Sequence, residues 1–288
     1  MFGQALRLLY ASTGSACLSL RPMTVPSLPI RFPTPNTLLT LLLFGLSLVC
    51  LELPSEAESS DPSTSTIEAA ATKEVPVPHI PEPLLFDLMR PLHAKKGELE
   101  VNTLGTIGRG GKLHWAPEVE YAVADGVAIE FEFPFVNSHY ESTKLGLQFR
   151  MGHDQKAVHG IQLLTEIDAG GDPQTALSAL YLFGHRFNKK WSLMSMTGAQ
   201  AVVGGSAPDE WRGLQNLSLF HDTTDCLTSG IELNWSFTGR ELVEEFKVTP
   251  QLHWSFSESS MVQLGAGIQK SQGDRWTPQY ALRLIRQL

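Results

Sequence analysis

The sequence predicts an all-β protein: an antiparallel up-and-down transmembrane β-barrel of about 12 strands, preceded by a signal peptide and a disordered linker. Three features carry that expectation. First, from Glu98 to Arg150 apolar side chains fall on odd positions and polar or small ones on even positions. Val127, Ile129, Phe131, Phe133 and Phe135 alternate with Ala128, Glu130, Glu132 and Pro134. A period of two gives extended strands with one apolar and one polar face. Second, an export-type apolar run lies upstream. Third, the remainder divides into strand-length segments separated by turn residues.

The elements follow in chain order. Residues 1–57 read as a signal peptide with an N-terminal extension. Leu38 to Leu51 (LLTLLLFGLSLVCL) is an apolar run preceded by Arg7, Arg21 and Arg31 and by no acidic residue. It is shorter than the roughly 20 residues a spanning helix needs. Ser55-Glu56-Ala57 offers a small-x-small site, so cleavage is expected after Ala57. Met23 is an alternative start that gives a signal of ordinary length. Cys17 and Cys50 precede the cut, which leaves Cys226 alone and excludes an intrachain disulfide in the mature chain. Residues 58–96 read as a linker, first Ser/Thr-rich (SSDPSTST) and then Pro-rich (VPVPHIPEP), with too little apolar surface to offset the entropy of ordering. Within it, 84–92 (LLFDLMRPL) predicts a short amphipathic turn of helix that caps or enters the barrel.

Residues 97–288 form the expected barrel. Strands are predicted over 98–107, 113–123, 127–136, 144–151, 157–167, 175–187, 191–203, 212–221, 228–238, 244–256, 261–269 and 275–287. Ala124-Asp125-Gly126 marks a tight hairpin, because Asp-Gly tolerates the positive backbone angles such turns need. Similar turn chemistry recurs at 170–173, 188–190, 257–260 and 271–274. The middle strands alternate less cleanly. Leu164, Leu180 and Leu182 share the polar parity with Gln162, Glu166 and Arg186. A bulge, a plugged and partly apolar lumen, or a shifted register would each account for this.

A soluble sandwich or lipocalin-like barrel also alternates, with its apolar face inward. The membrane version is favoured by aromatics near strand ends, among them Trp115, Phe187, Trp191, Trp254 and Trp276, and by acids crowded on the polar face. The last strand, Trp276-x-Pro278-x-Tyr280-x-Leu282-x-Leu284, resembles the C-terminal strand of Gram-negative outer-membrane proteins. It departs at Arg286 and at the terminal Leu288. The implied location is the cell outer membrane, with outer-membrane lipid and the barrel-assembly machinery as partners. After the cut the chain carries 19 basic and 28 acidic residues, a net −9 that argues against nucleic acid.

The block from Pro117 to Val136 (PEVEYAVADGVAIEFEFPFV) resembles the "leYGltDrlelelelPyv" segment of the MetA-pathway-of-phenol-degradation-like outer-membrane proteins. Gly97 to Val101 is similar to that family's opening strand, and Leu145 to Arg150 sits where it has "lglkyr". Ala122 replaces the family's Gly, and the long glycine-aspartate loop before the fourth strand is absent. The resemblance implies an outer-membrane barrel that transports a small, hydrophobic molecule. The alternatives carried forward are a closed structural or surface-interaction barrel and a lipid-modifying outer-membrane enzyme.

The candidate lumen lining is Glu98, Glu100, Glu118, Glu120, Glu130, Glu132 and Arg150. Neighbouring strands lie about 4.8 Å apart, so glutamates at alternate positions of consecutive strands must be neighbours. Arg150, and Arg186 from further round, are their expected cationic partners. Such a lining biases passage toward cations or holds a plug. Paired carboxylates also occur in glycosidases, but Glu at every second position is what inward-facing strands carry. Nine His are present, none with metal-ligand spacing. His114 and His253 are expected to face the lumen. Ser218 with His221 is the one local nucleophile and base pair. The expectation is a non-enzyme with no catalytic residues, no cofactor and no metal.

Overall fold

In the computed structural model the described residues are 75–86, 88, 90–206, 210–238 and 243–288. The expected signal peptide and the first part of the expected linker, 58–74, lie outside them. Alternation converts into strands over nearly the whole remaining chain. They are β1 (Leu99–Ile107), β2 (Leu113–Ala124), β3 (Val127–Glu132), β4 (Phe135–Val136), β5 (His139–Tyr140), β6 (Ser142–His153) and β7 (Ala157–Asp168). They continue as β8 (Gln174–Arg186), β9 (Trp191–Gly204), β10 (Glu210–Thr224), β11 (Leu227–Thr238), β12 (Glu245–Ser257), β13 (Ser260–Ser271) and β14 (Thr277–Gln287). Strands adjacent in the wall pair antiparallel, β3 directly with β6, and β1 pairs with both β2 and β14, so the sheet closes on itself. Twelve strands make the wall, and β4 with β5 is a short ribbon at one rim.

The predicted third strand, 127–136, is divided. The ladder between β3 and β6 ends at Glu132 with Lys144. Pro134 cannot donate to a ladder, and Phe135–Val136 continues only beside β2 before turning back through Asn137, whose φ is +54°. The two rims differ. Turns at 125–126, 154–156, 187–190, 225–226 and 258–259 are short, and the start of β1 and the end of β14 lie at this same rim. Register shifts fall at this end of β2, β6, β10 and β12, where bulges tighten the hairpins. Longer connections lie at the opposite rim.

The apolar face points outward. Val119, Tyr121, Phe131, Leu145 and Phe149 are exposed, whereas Glu118, Glu120, Glu130, Glu132 and Gln148 are buried. A wall apolar outside and polar inside is the inverse of a water-soluble barrel, and it matches a hydrocarbon environment. Exposed aromatics gather at both rims. Phe187, Trp191, Trp254 and Phe256 lie at the short-turn end, and Tyr140, Trp211, Phe237 and Trp276 at the other. Those positions suit the two bilayer interfaces, where rings with polar edges reside.

Candidate functional site

The site is the interior of the barrel. Register sets glutamates directly opposite one another: Glu100 with Glu120, Glu118 with Glu132, and Glu120 with Glu130. Like charges opposite each other destabilise a sheet unless something compensates them. The compensation comes from three cations. Arg283 of β14 reaches across β1, its Nη2 2.5 Å from Glu118 Oε1 and its Nε donating to Asn102 Oδ1 at 3.2 Å. Lys144 of β6 meets Glu132 Oε2 at 2.5 Å. Arg90 pairs with Glu100 through Nη1 and with Glu98 through Nη2, the latter at 2.8 Å. Asn102 also donates to Glu120 at 2.8 Å.

Arg90 does not belong to the wall. Residues 75–86, 88 and 90–97, the described part of the expected linker and the lead into β1, dip from the short-turn rim into the lumen and return to it. The ring of His153 donates to the Val75 carbonyl at 2.9 Å and Arg186 Nε to the His79 carbonyl at 2.7 Å, both near that rim. Deeper, Glu232 of β11 is fully buried and accepts the backbone N–H groups of Leu84 and Phe86 at 2.7 and 2.8 Å. Leu85 N–H lies 3.1 Å from the same carboxylate. Asn216 and Asn234 each donate to Glu232 at 3.0 Å and hold it in place. On the way out, Gln148 donates to the Arg90 carbonyl at 2.7 Å and Arg150 to the Leu92 carbonyl at 3.1 Å. The segment returns to the rim where Gly126 N–H meets the Ala94 carbonyl at 3.0 Å.

The sequence pointed to a disordered tether; its described residues instead form a plug. The entropy argument compared the segment with water alone. Inside the barrel its backbone groups find wall side chains as partners, and its apolar residues find an apolar sector. Ile80, Leu88 and Leu92 pack against Val158, Leu180, Leu182, Met194, Met196 and Phe220. That contact accounts for the irregular parity of the middle strands. The wall leaves room for it: a Cβ on Gly184 would lie 2.9 Å from Ile80, and one on Gly265 2.5 Å from Leu84. The expected helical turn over 84–92 is absent from its described residues. Residues 84–86 form a bend, because their N–H groups go to Glu232 rather than to carbonyls one turn back.

Of the lumen residues expected from sequence, Glu100, Glu118, Glu120, Glu130 and Glu132 are buried inside. Glu98 is exposed at the rim and turns to Arg90. Arg150 and Arg186 are not the partners of these glutamates. Arg150 holds a plug carbonyl, and Arg186 holds another while its Nη1 pairs with Asp222 at 2.9 Å. Sequence reasoning missed Arg90, Lys144, Arg283 and Glu232. Parity alone placed Glu232 between Ile231 and Leu233, and Arg283 between Leu282 and Leu284, on inward positions. His253 is buried inside as expected, whereas His114 is exposed near the long-loop rim. Ser218 is buried and bonds to Asn216, and His221 lies three residues on, beside the Trp191 ring at 4.6 Å. An odd spacing in a strand puts the two on opposite faces, so they form no catalytic pair.

A cavity of about 410 Å³ opens at the short-turn rim, lined in part by His79, Glu82, His93, Asp222 and His253. Within the plug, burial pushes Glu82 up to about 8, helped by the Glu100 charge. Burial holds His93 down at about 4, assisted by the neighbouring His79 and Arg90.

Fold and site together define a closed twelve-stranded β-barrel, apolar outside and acidic inside, with an internal segment crossing its lumen. Comparison with solved structures gives the same fold. The chain resembles the NanC porin (TM-score 0.56, 9% identity), covering 65% of this chain and 100% of that one. It resembles the KdgM porin solved with disordered oligogalacturonate (TM-score 0.52, 7% identity), covering 65% and 98%. It also resembles the COG4313 outer membrane channel of Pseudomonas putida F1 (TM-score 0.52, 11% identity), covering 68% and 96%. At these identities the likeness is one of fold: that of outer-membrane porins and channels. No protein-family model matches the chain. No curated protein matches it either.

Proposed function

We propose that the chain is an outer-membrane channel for small molecules whose resting state is closed by its own residues 75–97. The observation that carries this reading is a polar lumen, inside a lipid-facing wall, crossed by a segment held through side chain–to–backbone hydrogen bonds. A permanent core packs mainly through apolar contact. Here one end of nearly every plug bond is a polar wall side chain, which water can replace when the segment leaves. The short-turn rim is then the periplasmic one, as is usual for such barrels. Residues 1–57 serve as the export signal, and the last strand presents itself to the assembly machinery.

The likeness of residues 117–136 to the MetA-pathway-like block supports a transported solute that is small and hydrophobic. The apolar sector around Leu180, Leu182, Met194 and Met196 would then be the surface it meets once the plug withdraws. The glutamates Glu100, Glu118, Glu120, Glu130 and Glu132 would give the same passage a preference for cations among charged solutes.

The test is conductance in planar bilayers, comparing the full mature barrel with a variant lacking residues 75–93. Heat-modifiable gel mobility checks that both are folded. The expected result is low conductance from the intact protein and larger, stable, cation-preferring steps from the variant. A folded variant that stays non-conducting would assign the chain to closed structural barrels instead.

A further inference from the structure

We propose that Glu118, Glu130 and Glu132 together bind a divalent cation of the calcium type in the lumen wall. The carboxylate oxygens these residues offer all lie within 4.8 Å of one another, and all three side chains are buried. Calcium sits about 2.3–2.6 Å from its oxygen ligands, so a central ion spans such a set without moving the backbone. Three carboxylates and no nitrogen or sulfur ligand select a hard cation over zinc or copper.

Acid clusters are common on inward-facing strands, and proximity alone means little. A second observation points to an occupant. Glu130 is 1% exposed, no donor from outside the triad bonds either of its carboxylate oxygens, and its side-chain neighbour at hydrogen-bond distance is Glu132, another carboxyl. Its ion-pair partner Lys144 keeps Nζ 3.9 Å from Oε1, beyond hydrogen-bond reach. Leaving a buried carboxylate without donors is among the costliest arrangements in a folded protein. Two cations flank the other two members, Arg283 at Glu118 Oε1 and Lys144 at Glu132 Oε2. Next to Glu130 in register stands Glu120, fully buried and with Oε2 likewise unbonded.

Charge balance points the same way. Among the described residues, Glu100, Glu118, Glu120, Glu130 and Glu132 are buried in this sector, against Arg90, Lys144 and Arg283. A divalent ion at the triad offsets that excess and supplies the ligand Glu130 lacks. The proposal is independent of whether the barrel conducts, because an ion held in the wall binds equally in a closed barrel.

The experiment uses the full mature barrel, refolded in detergent, stripped with EDTA and desalted after exposure to Ca2+. Retained calcium is read by atomic emission, and the thermal unfolding midpoint is followed across a Ca2+ titration. The expected result is about one Ca2+ retained per chain and a midpoint that rises with the logarithm of Ca2+ concentration. Glu130→Gln should weaken retention at least tenfold, and Asp168→Asn, which alters an exposed acid, should leave it unchanged. Failure of the wild-type chain to retain calcium would overturn the proposal whether or not the variant folds. So would undiminished retention by Glu130→Gln. A Glu130→Gln barrel as stable as wild type, with neither responding to Ca2+, would show that Glu130 carries a proton instead, and also overturns it.

Discussion

Replacing Glu232 by Gln changes one oxygen to an amide nitrogen and leaves the shape of the side chain intact. Whichever position the nitrogen takes, it faces a donor. At Oε2 it meets the N–H groups of Leu84 and Leu85, and at Oε1 it meets Phe86, Asn216 and Asn234. At least one plug N–H then loses its acceptor in a fully buried place, and the remaining bonds lose the charge that strengthens them. A hydrogen bond to a charged partner contributes roughly 1.5–3 kcal/mol, and stranding a buried donor costs about 1–3 kcal/mol. The loss of plug docking is therefore about 2–5 kcal/mol, or roughly thirty- to several thousand-fold in the docking equilibrium at about 1.4 kcal/mol per tenfold. The barrel wall keeps its strand ladders, so the effect should be local. Hydrogen exchange by mass spectrometry reads it directly: protection should fall at residues 84–86 and persist in β8 and β9. Undiminished protection at 84–86 in the folded variant would refute the argument that this carboxylate anchors the plug.

Further outcomes follow from the same geometry. Glu82 gains its proton on docking, since its pKa is about 8 when docked against an ordinary 4.5, so its contribution to docking is lost as pH rises toward 8. His93 works in the opposite sense, from about 4 docked to 6.5 released, and its contribution is lost only as pH falls below 6.5. Between pH 6.5 and 8 Glu82 therefore acts unopposed by His93: protease cleavage within residues 75–97 should accelerate with pH, and Glu82→Gln should flatten the profile. Val119→Arg, on the lipid face near the middle of β2, should destabilise the barrel by about 2–4 kcal/mol in vesicle-based urea unfolding if that face meets hydrocarbon. A neutral result would mean that it does not. Gly126→Ala forces a side chain onto a residue at φ +72° and within 2.7 Å of the Arg150 Cβ, and should cost about 1–3 kcal/mol in the same assay.

The wall was legible in the sequence because its signal is local. Each strand carries its own parity, and each hairpin its own turn residues. Val119 beside Glu118 is enough to give a period of two, and Asp125-Gly126 is enough to reverse the chain. Inward placement of Glu100, Glu118, Glu120, Glu130 and Glu132 follows from parity once the apolar face is assigned to lipid. The break at Pro134 was present in the sequence as well, but reading through it extended the third strand to Val136.

The contents of the barrel were not legible. Whether Ile80, Leu84 and Leu88 are solvated or buried depends on a cavity built by strands far along the chain. Composition weighs a segment only against water, so a Pro-rich stretch looks like a tether until an enclosed surface offers it partners. The bond between Glu232 and the Leu84 N–H spans 148 positions in sequence, and the Arg283–Glu118 pair spans 165. No periodicity encodes such pairings. The sequence by itself determined which residues share a face in each cleanly alternating strand, because side-chain alternation is a property of the strand alone. Closure of β14 onto β1 decided which charges meet across the lumen and what fills it, because only a closed cylinder brings distant strands within the reach of one side chain.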